Sequence, residues 1–328
     1  MEKNLILSNK LNNKNGVASF LAGANKYIVV IALGVVITIF SFLTPNFLSV
    51  KNFYAIGLTL SVVGIICIGQ SLCILVRGFD LSVGSVAALA GIMIAYMTKN
   101  NVPYLLAFFI TIGFGITAGM INGCIIAKLK INALITTLAF MQIYLGLIYI
   151  ISGGYSITVP APAFSAIGTA RVFGIPLPII ILVSLYLIFF IILKFTVFGR
   201  YIYSMGGNPE AARVSGINTT KLEILVYTLS SVLAAFAGII LASRLGAAQT
   251  TAGGTYSMDS IAAVVLGGTA LSGGKGNILG SLIGIAIVGV LQNGLIMINM
   301  PIYYQYVATG LVLIVAVLMQ TVNQLKGK

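Results

Sequence analysis

The sequence predicts an all-α integral membrane protein of about ten transmembrane helices. Three observations carry that prediction. Of the 328 residues, 59% are hydrophobic and only 7% charged, against roughly 25% charged in soluble domains. Apolar runs recur along the whole chain, each close to the roughly 20 residues that a helix needs to cross a bilayer. The basic residues lie in the short segments between those runs, and mostly on one side.

Residues 1–25 are polar and basic, with Lys3, Lys10 and Lys14, and read as a cytoplasmic tail. The first span, Tyr27 to Leu43, is long and no small-residue cleavage site follows it, which argues against a signal peptide. The further spans are 53–76, 81–97, 103–127, 131–152, 174–194, 222–243, 258–271, 277–298 and 302–321, in one domain over 26–321 with a second tail at 322–328. The third and eighth are short and rich in Gly, Ala and Ser.

An even number of spans puts both termini on one side. With that side cytoplasmic, the inner segments hold Lys3, Lys10, Lys14, Lys26, Arg77, Lys128, Lys130, Lys194, Arg200, Arg213, Lys221, Lys275, Lys326 and Lys328. The outer ones hold only Lys51, Lys99, Arg171 and Arg244, the remainder of the 18 basic residues. This asymmetry is the positive-inside pattern. It makes 195–221 an inner loop and 153–173 an external one, either ordered on the surface or re-entrant. The net charge of +13 therefore reports topology and not nucleic-acid binding.

Several chemistries are excluded or unsupported. The chain has no His, so imidazole cannot ligate a metal or serve as a catalytic base. Cys67, Cys73 and Cys124 lie inside apolar runs without CxxC spacing and read as small buried hydrophobes. Gly273-Gly274-Lys275-Gly276 resembles a phosphate loop, but Thr269 stands where the first Gly is required and Gly276 where Ser or Thr is required. It is expected to be an inner turn, and the chain is not expected to hydrolyse ATP.

Small residues mark helix contacts. Gly115, Gly119 and Gly123 form a ridge on one face of the fourth span, and Gly280 and Gly284 do so in the ninth. Such ridges let helix backbones approach closely in lipid.

Five acids are present. Asp80 and Asp259 open the two short spans, in GFDLSVGSVAALAG (78–91) and YSMDSIAAVVLGGTALSGG (256–274). They either line and brace a polar pathway or cap broken helices. By proximity in sequence alone, Arg77 and Arg244 are the candidate ion-pair partners of these acids. Because those spans run in opposite directions five spans apart, a 5+5 inverted repeat is expected.

The longest inner polar stretch is Gly206 to Gly216, GGNPEAARVSG. Asn208 suits an N-cap, Pro209 the first helical position and Glu210 the first turn, where the helix dipole favours negative charge. Ala211 and Ala212 are strong helix formers. Gly216 can take the left-handed conformation that ends a helix. A short capped helix between two spans suits docking into another protein.

The pattern Glu210-Ala211-Ala212-x-x-x-Gly216 resembles the coupling ("EAA") loop of ABC-importer permeases. Longer stretches extend the resemblance to the ribose/xylose/galactose-type family of ABC sugar permeases. They are GFDLSVGSVAAL (78–89), GGNPEAARVSGIN (206–218), YSMDSIAAVVLGGTALSGGKGNILGSLIG (256–284) and LQNGL…YYQYVATGLVLIVAVL (291–318). The resemblance implies a plasma-membrane (inner-membrane) homodimer that imports a neutral monosaccharide, ribose first. ATP and Mg²⁺ would bind a separate ATPase subunit, and an extracytoplasmic sugar-binding protein would deliver the sugar.

Amides and hydroxyls match sugar hydroxyls without holding them too tightly. The pathway candidates are therefore Gln70, Asn122, Gln249, Gln292 and Asn293, with Tyr256 as a stacking ring, beside Asp80 and Asp259. Hydrogen bonding between helices is the alternative role for each amide. Related permeases carry nucleosides, autoinducer-2 or branched amino acids. A Na⁺-driven secondary transporter is the alternative from another class, since Na⁺ needs only carbonyls and hydroxyls.

Overall fold

A computed structural model describes residues 29–159 and 162–326; the expected tail 1–25 lies outside them. The described chain is a helical bundle. Its long helices are α1 (Val29–Leu43), α2 (Val50–Leu75), α3 (Val83–Lys99), α4 (Tyr104–Leu129), α5 (Ala133–Ser152), α7 (Leu177–Phe195), α10 (Thr219–Leu245), α12 (Ile278–Met297) and α13 (Ile302–Lys326). Shorter ones are α6 (Pro162–Thr169), α8 (Val197–Gly207), α9 (Pro209–Val214) and α11 (Tyr256–Leu266). Four two-residue strands form two antiparallel pairs: β1 (Ile157–Thr158) with β4 (Ala247–Ala248), and β2 (Arg171–Val172) with β3 (Ile175–Pro176).

Among the described residues, six helices are long and apolar enough to cross a membrane: α2, α4, α5, α7, α10 and α12. α3 and α11 are shorter, with 17 and 11 residues. At 1.5 Å per residue α11 reaches only about 16 Å, too short to cross a bilayer without adjoining non-helical backbone. Such backbone is tolerated in a membrane only when other protein covers it. Here it is covered: Gly253 lies against Gly84, and Gly267 against Gly280, closely enough that no Cβ would fit.

α2 and α10 form the buried centre. α3 and α4 pack on α10, and α11 and α12 pack on α2. α3 also meets α4 and α5, while α11 meets α12 and α13. α1 and α7 both lie on α12, through the Phe40 ring at Gly294 for α1.

The Gly115-Gly119-Gly123 ridge of α4 faces α10. A Cβ on Gly119 would stand 2.5 Å from the Tyr227 carbonyl oxygen and from Thr228 Cα. Gly119→Leu is therefore expected to cost about 1–3 kcal/mol of overpacking, read as a lower unfolding temperature in detergent. Gly113→Ala, on the same helix with nothing within 4 Å, is the control and should unfold like the parent. Gly280 and Gly284 lie against Gly267 and Ala263 of the α11 segment.

The described residues of the 153–173 segment include α6. Ser243 Oγ donates to the Phe164 carbonyl at 2.6 Å and accepts from Gly168 N–H at 2.8 Å, fastening α6 to the end of α10. At the other end, α13 stays helical to Lys326, through most of the stretch expected as a tail from 322.

Candidate functional site

The 195–221 stretch holds two helices: the short one expected within Gly206–Gly216, and a further one ahead of it. α8 carries the chain from α7 to Gly207, and α9 follows after Asn208. Asn208 has extended backbone, and its Oδ1 accepts from the N–H groups of Glu210 and Ala211 at 3.0 and 3.1 Å. Pro209 occupies the first helical position. Gly216 has φ +86° and ends the segment, and Asn218 caps α10 by accepting from Lys221 N–H.

The two alanines separate. Ala212 is 1% exposed and closes α9 onto the bundle, whereas Ala211 faces outward. α9 therefore has one face buried against the bundle and one left open. Its open face carries Glu210, Ala211, Arg213, Val214 and Ser215. Val214 is 85% exposed. Sequence reasoning passed over it; an apolar residue in an otherwise polar inner loop was the signal.

The segment is tied to two other chain reversals. Arg77, which follows α2, donates from Nε to the Gly206 carbonyl at 2.7 Å and from Nη2 to the Gly207 carbonyl. The Gly274 N–H donates to the Leu75 carbonyl at 2.9 Å. Gly206 sits against both Leu75 and Gly274, where a methyl group would collide with backbone on each side. Tyr203 Oη donates to the Gly276 carbonyl at 3.1 Å. The Gly273–Gly276 turn is thus a packing partner of the α8–α9 junction.

Three residues beyond Arg77 the chain turns inward. Asp80 is fully buried. Its Oδ1 accepts from Ser82 N–H at 3.0 Å and Ser82 Oγ at 2.6 Å, and its Oδ2 accepts from Ser230 Oγ at 3.0 Å. Asn122 Nδ2 donates to Ser82 Oγ at 3.0 Å. Asp80 therefore braces the start of α3 against α4 and α10. The start of α11 meets the same place: Ser257 Oγ donates to the Leu81 carbonyl at 2.8 Å and accepts from Gly84 N–H at 3.3 Å. The openings of the two short helices touch inside the bundle.

Asp259 lies apart from Asp80. It is 2% exposed and accepts from Gln292 Nε2 at 3.4 Å, and Gln292 also approaches Thr309 Oγ1 at 3.5 Å. Neither arginine pairs with these acids. Arg77 holds glycine carbonyls, and Arg244 Nη1 donates to the Leu58 carbonyl at 2.6 Å.

The remaining sequence candidates scatter. Asn293 forms a reciprocal amide pair with Asn52, at 3.0 Å each way, and so joins α12 to α2. Gln70 is fully buried with both amide atoms unpartnered, as is Asn122 Oδ1. Gln249 lines a small cavity between α3 and α10. Tyr256 is half-buried at the first position of α11. Thus Asp80 and Asn122 share a cluster, Asp259 and Gln292 share another, and Gln70, Gln249, Tyr256 and Asn293 join neither.

A family model described as branched-chain amino acid transport system / permease component matches residues 52–317, the stretch from α2 well into α13. The chain belongs to this permease family. The permease is 44% identical over 292 residues to the ribose import permease protein of Haemophilus influenzae, covering 88% of this chain and 90% of that one. It is 42% identical over 298 residues to the ribose import permease protein of Escherichia coli, covering 90% and 93%. It is 39% identical over 308 residues to the L-arabinose transport system permease protein of Escherichia coli, covering 92% of each. No solved structure matches the permease. The capped α9, the glycine contacts beneath it and the two short helices all fall inside the matched region.

Proposed function

We propose that this permease is the membrane subunit of an ATP-driven ABC importer for a neutral monosaccharide, ribose first. The observation that carries the proposal is α9: a capped helix seated on one end of the bundle by Ala212 with its other face open, and with its root bonded to the turns that lead into α3 and α12. Its open face suits an ATPase subunit. The opposite end carries the 153–173 segment and the β1–β4 pair, a surface for an extracytoplasmic sugar-binding protein. The permease then acts as a homodimer in the bacterial inner membrane.

Ten spans with both termini inside agree with the positive-inside count. The 5+5 repeat is supported by the way contacts pair up. α3 and α4 on α10 correspond to α11 and α12 on α2, and α3 with α5 corresponds to α11 with α13. α1 and α7, which both pack on α12, depart from the correspondence. Closure of two ATPase subunits moves the α9 helices, and the broken helices α3 and α11 shift the access of the pathway.

The relatives' printed names favour a pentose, and the family description names branched amino acids. The interior speaks for a neutral solute. Asp80 already accepts three hydrogen bonds, and Arg77 and Arg244 serve backbone carbonyls. A zwitterion would need charges that are otherwise engaged.

The test is uptake of radiolabelled ribose into proteoliposomes containing the permease, its ATPase subunit and its binding protein, with ion gradients collapsed. Uptake is expected to need ATP and both partners. Unlabelled ribose should compete, arabinose should compete less, and leucine should not compete. Uptake by the permease alone on a Na⁺ gradient would make it a secondary transporter instead.

A further inference from the structure

We infer that Arg77 is the positioning residue that transmits movement of α9 into the short helix α3, with the Gly206–Gly207 carbonyls as its handle. The inference rests on α9 being the ATPase-docking element and goes beyond it by naming the next part in the chain of motion.

Three observations converge on Arg77. The first is the bond geometry. One guanidinium spans two successive carbonyls, those of Gly206 and Gly207, across 129 and 130 residues of sequence. A planar fork can hold two acceptors in one orientation, which a lysine ammonium cannot. Asn208, the N-cap of α9, is the next residue, so the held peptide units are the root of that helix.

The second is where Arg77 leads. Only Gly78 and Phe79 separate it from Asp80, which is locked to Ser82 and Ser230. Arg77 itself stands at φ +69°, a conformation uncommon for a residue with a Cβ. Tyr227 Oη also lies at this linker, 3.4 Å from the Phe79 carbonyl. A displacement of Gly206–Gly207 therefore reaches the start of α3 through a linker of two residues, with little slack to absorb it.

The third is that the joint has no padding. Gly206 meets Leu75 and Gly274 backbone to backbone, and Gly273 lies against the stem of Arg77 itself. Leu75 at the end of α2 accepts from Gly274. The turn between α11 and α12 is thus clamped to the same point. Packed interfaces of this kind move between discrete arrangements and do not deform continuously.

Arg77 is exposed, so its replacement opens no cavity. Its bonds run to the Gly206 and Gly207 carbonyls, so its expected effect is on the linkage between partners. The test uses the full assembly of permease, ATPase subunit and binding protein in nanodiscs. The readout is the ratio of ATP hydrolysis with ribose-loaded binding protein to that without it, together with co-purification of the ATPase subunit. Arg77→Gln is expected to keep the ATPase subunit bound while the ratio falls about tenfold, a loss in the ordinary range of coupling between sites. Arg77→Lys, which keeps the charge but lacks the planar fork that fixes two carbonyls in one orientation, is expected to restore part of the ratio.

Retained assembly with an unchanged ratio in Arg77→Gln overturns the inference and leaves the docking role of α9 standing. Loss of assembly in both variants also overturns it, because Arg77 would then hold the fold and not transmit motion. Glu210→Arg, assayed in parallel, separates the two levels. If that variant assembles and transports normally, the α9 reading itself fails, whatever Arg77 does.

Discussion

Replacing Glu210 with Arg is expected to reduce ATP-driven uptake about 100-fold while leaving the membrane domain folded. Glu210 is exposed in the first turn of α9, so its own contribution to the helix is only about 0.3–1 kcal/mol. A reversed charge inside a protein interface costs several kcal/mol, and each 1.4 kcal/mol is tenfold in affinity. The loss should therefore appear in co-purification of the ATPase subunit and in uptake, and not in the unfolding temperature of the permease alone. Gly216→Pro should act in the same direction by another route. Gly216 stands at φ +86°, and proline is held near −65°, so the exit of α9 must rebuild. Full uptake in either variant would refute the docking role.

The second large effect is expected at Asp80. Asp80→Leu leaves Ser82 N–H, Ser82 Oγ and Ser230 Oγ without their acceptor in a fully buried site. Each unsatisfied buried group costs about 1–3 kcal/mol, so a loss of about 3 kcal/mol or more is expected. It should appear as a marked fall in unfolding temperature and as faster amide exchange at the start of α3. Asp80→Asn keeps an acceptor of the same shape and should lose much less. Equal unfolding temperatures for the Leu variant and the parent would mean that Asp80 does not brace α3.

What was legible in the sequence follows from where each interaction is encoded. The spans are written in long apolar runs, and α9 in Asn208, Pro209, Glu210 and Gly216, whose capping chemistry is local. The close approach of α4 to α10 is written in its spaced glycines. α8 was not legible, because Gly206 and Gly207 read as loop residues; glycine is a poor helix former. Gly206 is present because Leu75 and Gly274 leave no room for a side chain there. The partners of Arg77 and Arg244 were misjudged for a related reason. Sequence proximity suggested the two aspartates, but backbone carbonyls more than a hundred residues away hold both guanidinium groups. The split between Ala211 and Ala212 depends on how α9 lies on the bundle, which no local pattern records. Asn293 looked like a pathway amide, and only its distant partner Asn52 reveals a joint between helices.

The most direct test of the central claim places a photocrosslinking amino acid at Val214 in one permease and at Phe173 in another, each in the full assembly with ATPase subunit and binding protein. Val214 is 85% exposed on α9, and Phe173 is fully exposed in the β2–β3 turn. α7, of 19 residues and about 28 Å, lies between the two regions. The predicted result is an adduct with the ATPase subunit from position 214 only, and with the binding protein from position 173 only. An ATPase adduct from position 173, or none from position 214 in an actively transporting assembly, would contradict both the topology and the coupling role of α9.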